Sequence, residues 1–175
     1  QNIVIGGAAG AFPPIIGWVT TSGNIGLGSI LMFLLIFIWT PPHFWALSLF
    51  SHSDYHRANV PMLNVTHGKP HTRFQILLYT LALILISVGI SFSNLGGIFY
   101  FISALILNGY LFYLAVRVYF QNEQLSLGLN MKYEKKLFLF SISYLFVLFG
   151  MIFLEALIDR FQIASVNFQL TNIFF

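Results

Sequence analysis

Four runs of this chain, Leu27–Phe50, Phe74–Phe92, Ile98–Phe120 and Leu137–Leu157, are apolar throughout and carry at most one charged residue each. An α-helix crosses about 30 Å of hydrocarbon with roughly 20 apolar residues. Inside lipid an unpaired N–H or C=O has no water to bond, so a spanning segment must satisfy its own backbone, as a helix does. The four runs therefore read as transmembrane helices. A fifth, Ile3–Val19, is shorter. Its "GGAAG" at 6–10 suits close approach of helix backbones, which favours a span packed against its neighbours. Pro13 and Pro14 leave a re-entrant or partly unwound segment open as the alternative. The expected fold is all-α: a polytopic helix bundle of about five spans in one domain, with spans near 3–19, 27–50, 74–92, 98–120 and 137–157.

Composition agrees with that reading. A mean hydropathy of +0.83, with 18% aromatic and only 7% charged residues, excludes an ordinary water-soluble domain. The lack of cysteine excludes disulfides, thiolate metal sites and thioether haem attachment. The first residue is Gln1 and no signal-peptide pattern follows it, so the chain reads as a fragment, a processed chain or a gene remnant.

The connections "TTSGNIG" and "SNLGG" are uncharged and suit tight turns, whereas residues 51–73 and 121–136 are long and polar. Two spans separate the long segments, so they should lie on one side of the membrane. Arg57, Lys69, Arg73, Lys132, Lys135 and Lys136 lie in them, and Arg117 sits at the entry to the second. Only Arg160 falls on the other side. That asymmetry predicts cytoplasmic long loops, a cytoplasmic amino terminus and an external carboxy terminus. A multi-pass protein of a bacterial inner membrane, or of a mitochondrial inner membrane, fits.

The polar chemistry is concentrated. All five histidines, His43, His52, His56, His67 and His71, fall between residues 39 and 73, as does Asp54, the sole acid before Glu123. In "WTPPHFW", Pro41 and Pro42 should kink or break the helix near Thr40, which can then cap a second short helix. A break there could open a cavity for a flat aromatic ligand, with His43, Phe44 and Trp45 at its edge; a purely structural kink is the other reading. His52 and His56, four residues apart, would share a helix face. That spacing suits zinc or haem, but no third strong ligand follows at a matching spacing. Asp54 beside Arg57, Lys69 and Arg73 has the balance for a magnesium diphosphate, since Mg²⁺ takes one or two carboxylates plus phosphate oxygens while guanidinium and ammonium groups meet the remaining charge. A capping Asp in a topology-setting basic loop explains the same residues. Glu123 and Glu134 read as isolated acids.

The stretches "QNIVIGGAAGAFPPIIGW", "WTPPHFWALSL" and "DYHRANVPMLNVTHG" closely resemble the haem O synthase (protohaem IX farnesyltransferase) family of the membrane prenyltransferase superfamily. The resemblance implies a nine-helix enzyme of which this chain corresponds to the last five helices. It implies transfer of farnesyl from farnesyl diphosphate to a vinyl group of haem B, giving haem O, with Mg²⁺ on the diphosphate. The implied mechanism is ionisation of the allylic C–O bond, attack by the vinyl group and capture by water. By position it makes Asp54 the magnesium ligand, with Asp54, Tyr55 and Arg57 catalytic, and Pro61 and Met62 in the same motif. Ala58 stands where many superfamily relatives have a second Asp. Lys69 and Arg73 are the diphosphate candidates; His43, Trp45, His52 and His56 are the haem candidates. The family's first Asp-rich motif is missing, so the chain is expected to hold half a site and to be inactive alone. Implied partners are haem B, farnesyl diphosphate and membrane lipid, together with an amino-terminal half or terminal-oxidase assembly proteins, and no nucleic acid. The alternatives are a prenyltransferase of another aromatic acceptor, and a non-catalytic remnant or haem-handling subunit.

Overall fold

The computed structural model describes residues 2–51, 57 and 61–173, with side chains described over 3–51, 57 and 61–161. Its helices are α1 (Asn2–Ala11), α2 (Pro13–Ser22), α3 (Leu27–Phe50), α4 (Leu63–Thr66), α5 (Lys69–Ser91), α6 (Ile98–Tyr119), α7 (Glu123–Gly128) and α8 (Lys132–Ile173). Among the described residues five helical stretches are long and apolar enough to cross a membrane, the first being Ile3–Ser22, in which α1 and α2 follow one another. The expected all-α bundle of five spans is the observed architecture.

Four long helices close a ring. α3 packs on α5, α5 on α6, α6 on α8, and α8 back on α3. The short α1 and α2 lie against α3 from outside this ring. Each ring helix turns a stripe of three- and four-residue spacing inward. On α8 the buried stripe is Glu134, Leu137, Ser141, Tyr144, Leu148, Ile152 and Glu155; on α5 it includes Ile76, Thr80, Leu83, Ser87 and Ile90. That is the periodicity of a helix buried along one face. The opposite faces expose Leu85, Ile106, Phe146 and Phe153, as lipid requires.

Lipid tails are as apolar as leucine, so water does not drive these helices together. Close packing and interhelical hydrogen bonds do. At mid-bundle, Asn108 Nδ2 donates to Ser87 Oγ at 2.8 Å. Tyr144 OH donates to Asn108 Oδ1 at 2.9 Å and Tyr100 OH to the Ser87 carbonyl at 3.1 Å. Three helices are thereby tied by one buried polar cluster, each bond contributing about 0.6 to 2 kcal/mol.

The turns follow local chemistry. Gly23, at φ 74°, takes the left-handed position that ends α2 and donates its N–H to the Val19 carbonyl. Asn122 caps α7 by accepting from Leu125 N at 2.8 Å. The amino-terminal end of α6 is capped from far along the chain. Glu155 Oε1 accepts from Phe99 N at 2.8 Å and Tyr100 N at 3.1 Å, which satisfies two N–H groups that the helix itself leaves open. A carboxylate there also meets the positive end of the helix dipole. Glu155→Ala should therefore cost about 1 to 3 kcal/mol through the orphaned donors, and Glu155→Gln, which keeps an acceptor, clearly less. Thermal unfolding in detergent reads this; an alanine variant melting with the parent would remove the cap from the account.

Thr40 does not cap a second helix, because α3 runs unbroken from Leu27 to Phe50 with Pro41 and Pro42 inside it. The Thr40 hydroxyl instead donates back to the Ile36 carbonyl at 2.8 Å. Pro41, Pro42 and His43 are buried among neighbouring helices, a setting in which the prolines' missing donors are tolerated.

Candidate functional site

The unbroken α3 still borders a cavity at "WTPPHFW". A hollow of about 620 Å³ lies between α1 and α3. α1 contributes Ile3, Gly6, Gly7 and Gly10; α3 contributes Ile36, Trp39, Thr40 and Phe44; Pro61 and Met62 complete the lining. The glycines divide the work. A Cβ on Gly7 would come within 2.9 Å of Thr40 Cγ2, so this residue lets the two helices touch. A Cβ on Gly6 or Gly10 meets nothing within 4 Å, so these two leave the hollow open. The "GGAAG" stretch thus serves both close approach and free volume.

Pro61 and Met62 reach this lining because the return loop is pinned. Asn64, buried in α4, donates from Nδ2 to the Ser48 carbonyl at 2.6 Å. Ser48 lies in the last turn of α3, where carbonyls lack helical partners. The Asn of "NVTHG" thereby ties the motif loop to the end of "WTPPHFWALSL".

His43 backs the cavity wall rather than forming it. Its ring is sandwiched between Trp39 (centroids 4.3 Å apart) and Phe138 of α8 (4.6 Å). Its Nδ1 is 2.7 Å from Ser141 Oγ. The Ser141 hydroxyl donates to the Phe138 carbonyl at 2.7 Å, so Nδ1–H is best assigned as the donor to Ser141. Trp39 Nε1 donates to the Ser141 carbonyl at 2.8 Å, which fixes the indole that faces the cavity. Trp39 was not singled out from the sequence, although its four-residue offset from His43 is the signal that puts both rings on one face. Phe138 and Ser141 gave no local signal at all. Trp45, also a haem candidate, is buried edge-on against Tyr79 at 5.1 Å. It borders a second, smaller hollow of about 300 Å³ with His71, Gln75 and Tyr79.

The cation-rich segments meet at one end of the bundle, as their spacing predicts. Lys69 Nζ pairs with Glu123 Oε1. Arg73 donates from Nη1 to the Gln121 carbonyl and from Nη2 to Ser126 Oγ, both at 2.8 Å, and lies 3.4 Å from Glu134 Oε1. Ser126 Oγ donates to the same Glu134 oxygen at 2.6 Å. Glu123 and Glu134, read from the sequence as isolated acids, thus each face a cation and form no acidic cluster among the described residues. Neither cation partner is visible from local spacing, because each lies more than fifty residues away. Arg73, the other diphosphate candidate, is almost wholly buried and aimed at α7 and α8. Arg57 is exposed. His52, Asp54, Tyr55 and His56 lie outside the described residues.

The fit to magnesium follows from the donor set. Among the described residues no three of His, Cys, Asp or Glu gather at one point. The described carboxylates at this end are engaged by Lys69 and Arg73. The described residues do not by themselves make a magnesium site.

Comparison with known proteins gives the chemistry a context. Residues 1–142 match the model of the UbiA prenyltransferase family. The chain is 52% identical over 165 residues to the protoheme IX farnesyltransferase of Ruegeria pomeroyi, covering 94% of this chain and 52% of that one. It is 50% identical to the protoheme IX farnesyltransferase of Roseobacter denitrificans over the same shares. A further relative of the same name, from Cereibacter sphaeroides, is 51% identical over 94% of this chain and 53% of its own. The chain thus spans about half the length of the curated relatives it matches. No solved structure matches it significantly.

Proposed function

Because the chain belongs to the UbiA prenyltransferase family, we propose that it forms part of an enzyme that transfers farnesyl from farnesyl diphosphate to a vinyl group of haem B, giving haem O. The observation that carries this reading is the apolar hollow walled by "WTPPHFW" and completed by the motif residues Pro61 and Met62. Its volume is in the usual range for small-molecule sites. Its aromatic faces, Trp39 and Phe44, suit both a flat macrocycle and an isoprenoid chain, and a π-face also stabilises the allylic cation that forms as the C–O bond ionises. The leaving diphosphate belongs at the cation-rich end. Asp54, Tyr55 and Arg57 would be the catalytic group, with Asp54 supplying a carboxylate for Mg²⁺, and Lys69 would exchange Glu123 for a phosphate oxygen. Partly exposed ion pairs such as Lys69–Glu123 are weak enough for that exchange. Arg73 has a bracing role. The one-sided cations support a bacterial inner membrane with this end in the cytoplasm. The acceptor is read as haem, not another aromatic ring, from the shared name of the half-identical relatives.

The test joins this chain to the remaining half of the Ruegeria pomeroyi relative and supplies haem B, farnesyl diphosphate and Mg²⁺ to membranes containing it. Mass spectrometry should find haem O. Gly10→Leu, whose Cβ meets nothing within 4 Å, extends its side chain toward the hollow and should lower turnover by about tenfold or more, a barrier increase of at least about 1.4 kcal/mol. Absence of product from a well-expressed chimera overturns the assignment. Full activity of the Gly10 variant moves the substrate out of this hollow.

A further inference from the structure

Where α6 gives way to α8, charge is left unbalanced. Arg117 ends α6, and Lys132, Lys135 and Lys136 begin α8. The described acids nearby look elsewhere: Glu123 pairs with Lys69, and Glu134 is fully buried against Ser126 and Arg73. Two of these cations are nonetheless held by neutral groups, while Lys132 and Lys136, one helical turn apart, are exposed. Arg117 Nη2 donates to Tyr133 OH at 2.7 Å, with its Cζ 4.4 Å from that ring's centroid. Lys135 Nζ donates to Asn130 Oδ1 at 3.3 Å.

The segment between the two helices has the complementary property. Ser126 of α7 is turned inward and hydrogen-bonded to Arg73 and Glu134, while Leu125, Leu127 and Leu129 are 53%, 62% and 43% exposed. Met131 N closes the turn on the Ser126 carbonyl at 2.8 Å, with Asn130 and Met131 both in the left-handed region. A pinned loop that directs leucines outward at the end of two spans belongs at the boundary between headgroups and acyl chains. Basic residues that only set topology need neither fixed geometry nor adjoining leucines.

We propose that this turn binds anionic phospholipid, with the headgroup phosphate against Arg117, Lys132 and Lys136 and the upper acyl carbons against Leu125 and Leu129.

The test uses the full chain purified in mild detergent and incubated with phosphatidylglycerol or phosphatidylcholine, with retained lipid read by native mass spectrometry. Phosphatidylglycerol should stay bound under activation that strips phosphatidylcholine. Combined R117Q, K132Q and K136Q should lower its retention by about fivefold for each cation removed. Leu125→Ser with Leu129→Ser leaves the charge unchanged and should lower it as well, which covers a charge variant that inserts wrongly. Added sodium phosphate should displace none. Equal retention of the two lipids, unaltered retention in the leucine variant, or displacement by inorganic phosphate overturns the proposal, the last by showing a simple anion site.

Discussion

Arg73→Ala should be the most damaging substitution for stability. The guanidinium and Glu134 are both almost wholly buried, and Gln121, Ser126 and Glu134 all converge on Arg73. Removing it leaves a buried carboxylate uncompensated, a loss that costs about 3 to 5 kcal/mol where buried pairs have been broken. The expected result is a lower thermal midpoint and release of the loop from Gln121 to Met131, readable as faster amide exchange there. Arg73→Met with Glu134→Leu removes both charges and should recover most of the stability, because the desolvation penalty disappears with the pair. The double variant also separates bracing from substrate binding. If it folds well yet loses diphosphate affinity by more than about tenfold, a loss of about 1.4 kcal/mol, Arg73 touches substrate after all.

Asp54→Asn should have the largest effect on turnover. In the proposed reaction negative charge builds on the departing diphosphate, and "DYHRANVPML" supplies the carboxylate for its magnesium. Losing one group that stabilises developing charge typically costs about 10²- to 10³-fold in rate. Turnover in the chimera should fall by at least that lower figure. The Mg²⁺ concentration for half-maximal rate should rise, and haem B should still bind. Wild-type turnover at saturating Mg²⁺ would take Asp54 out of the site.

Much of the architecture is legible in the order of residues. Spans 27–50, 98–120 and 74–92 agree with α3, α6 and α5 to within a few residues, except that α5 begins at Lys69. That earlier start places Lys69, His71 and Arg73 on a helix instead of in a loop. The reason is chemical: hydropathy marks where lipid begins, but a helix continues into the polar layer while its residues allow it. α8 likewise starts at Lys132, before its apolar run. The two prolines show the opposite failure. Their local preference for a break near Thr40 was real, but burial against neighbouring helices kept α3 continuous.

Residue order alone carries the helices, their number and approximate limits, which polar segments share a side, and the motifs that mark the family. These are local properties, each written in about 20 consecutive residues. Which faces meet is settled by the packing of the whole bundle. Core and lipid both accept leucine and phenylalanine, so an apolar helix carries little record of its own rotation. The pairings of His43 with Ser141, Arg73 with Glu134, and Glu155 with the start of α6 all depend on that rotation. So does the split of the glycines in "GGAAG" between touching α3 and leaving a hollow beside it.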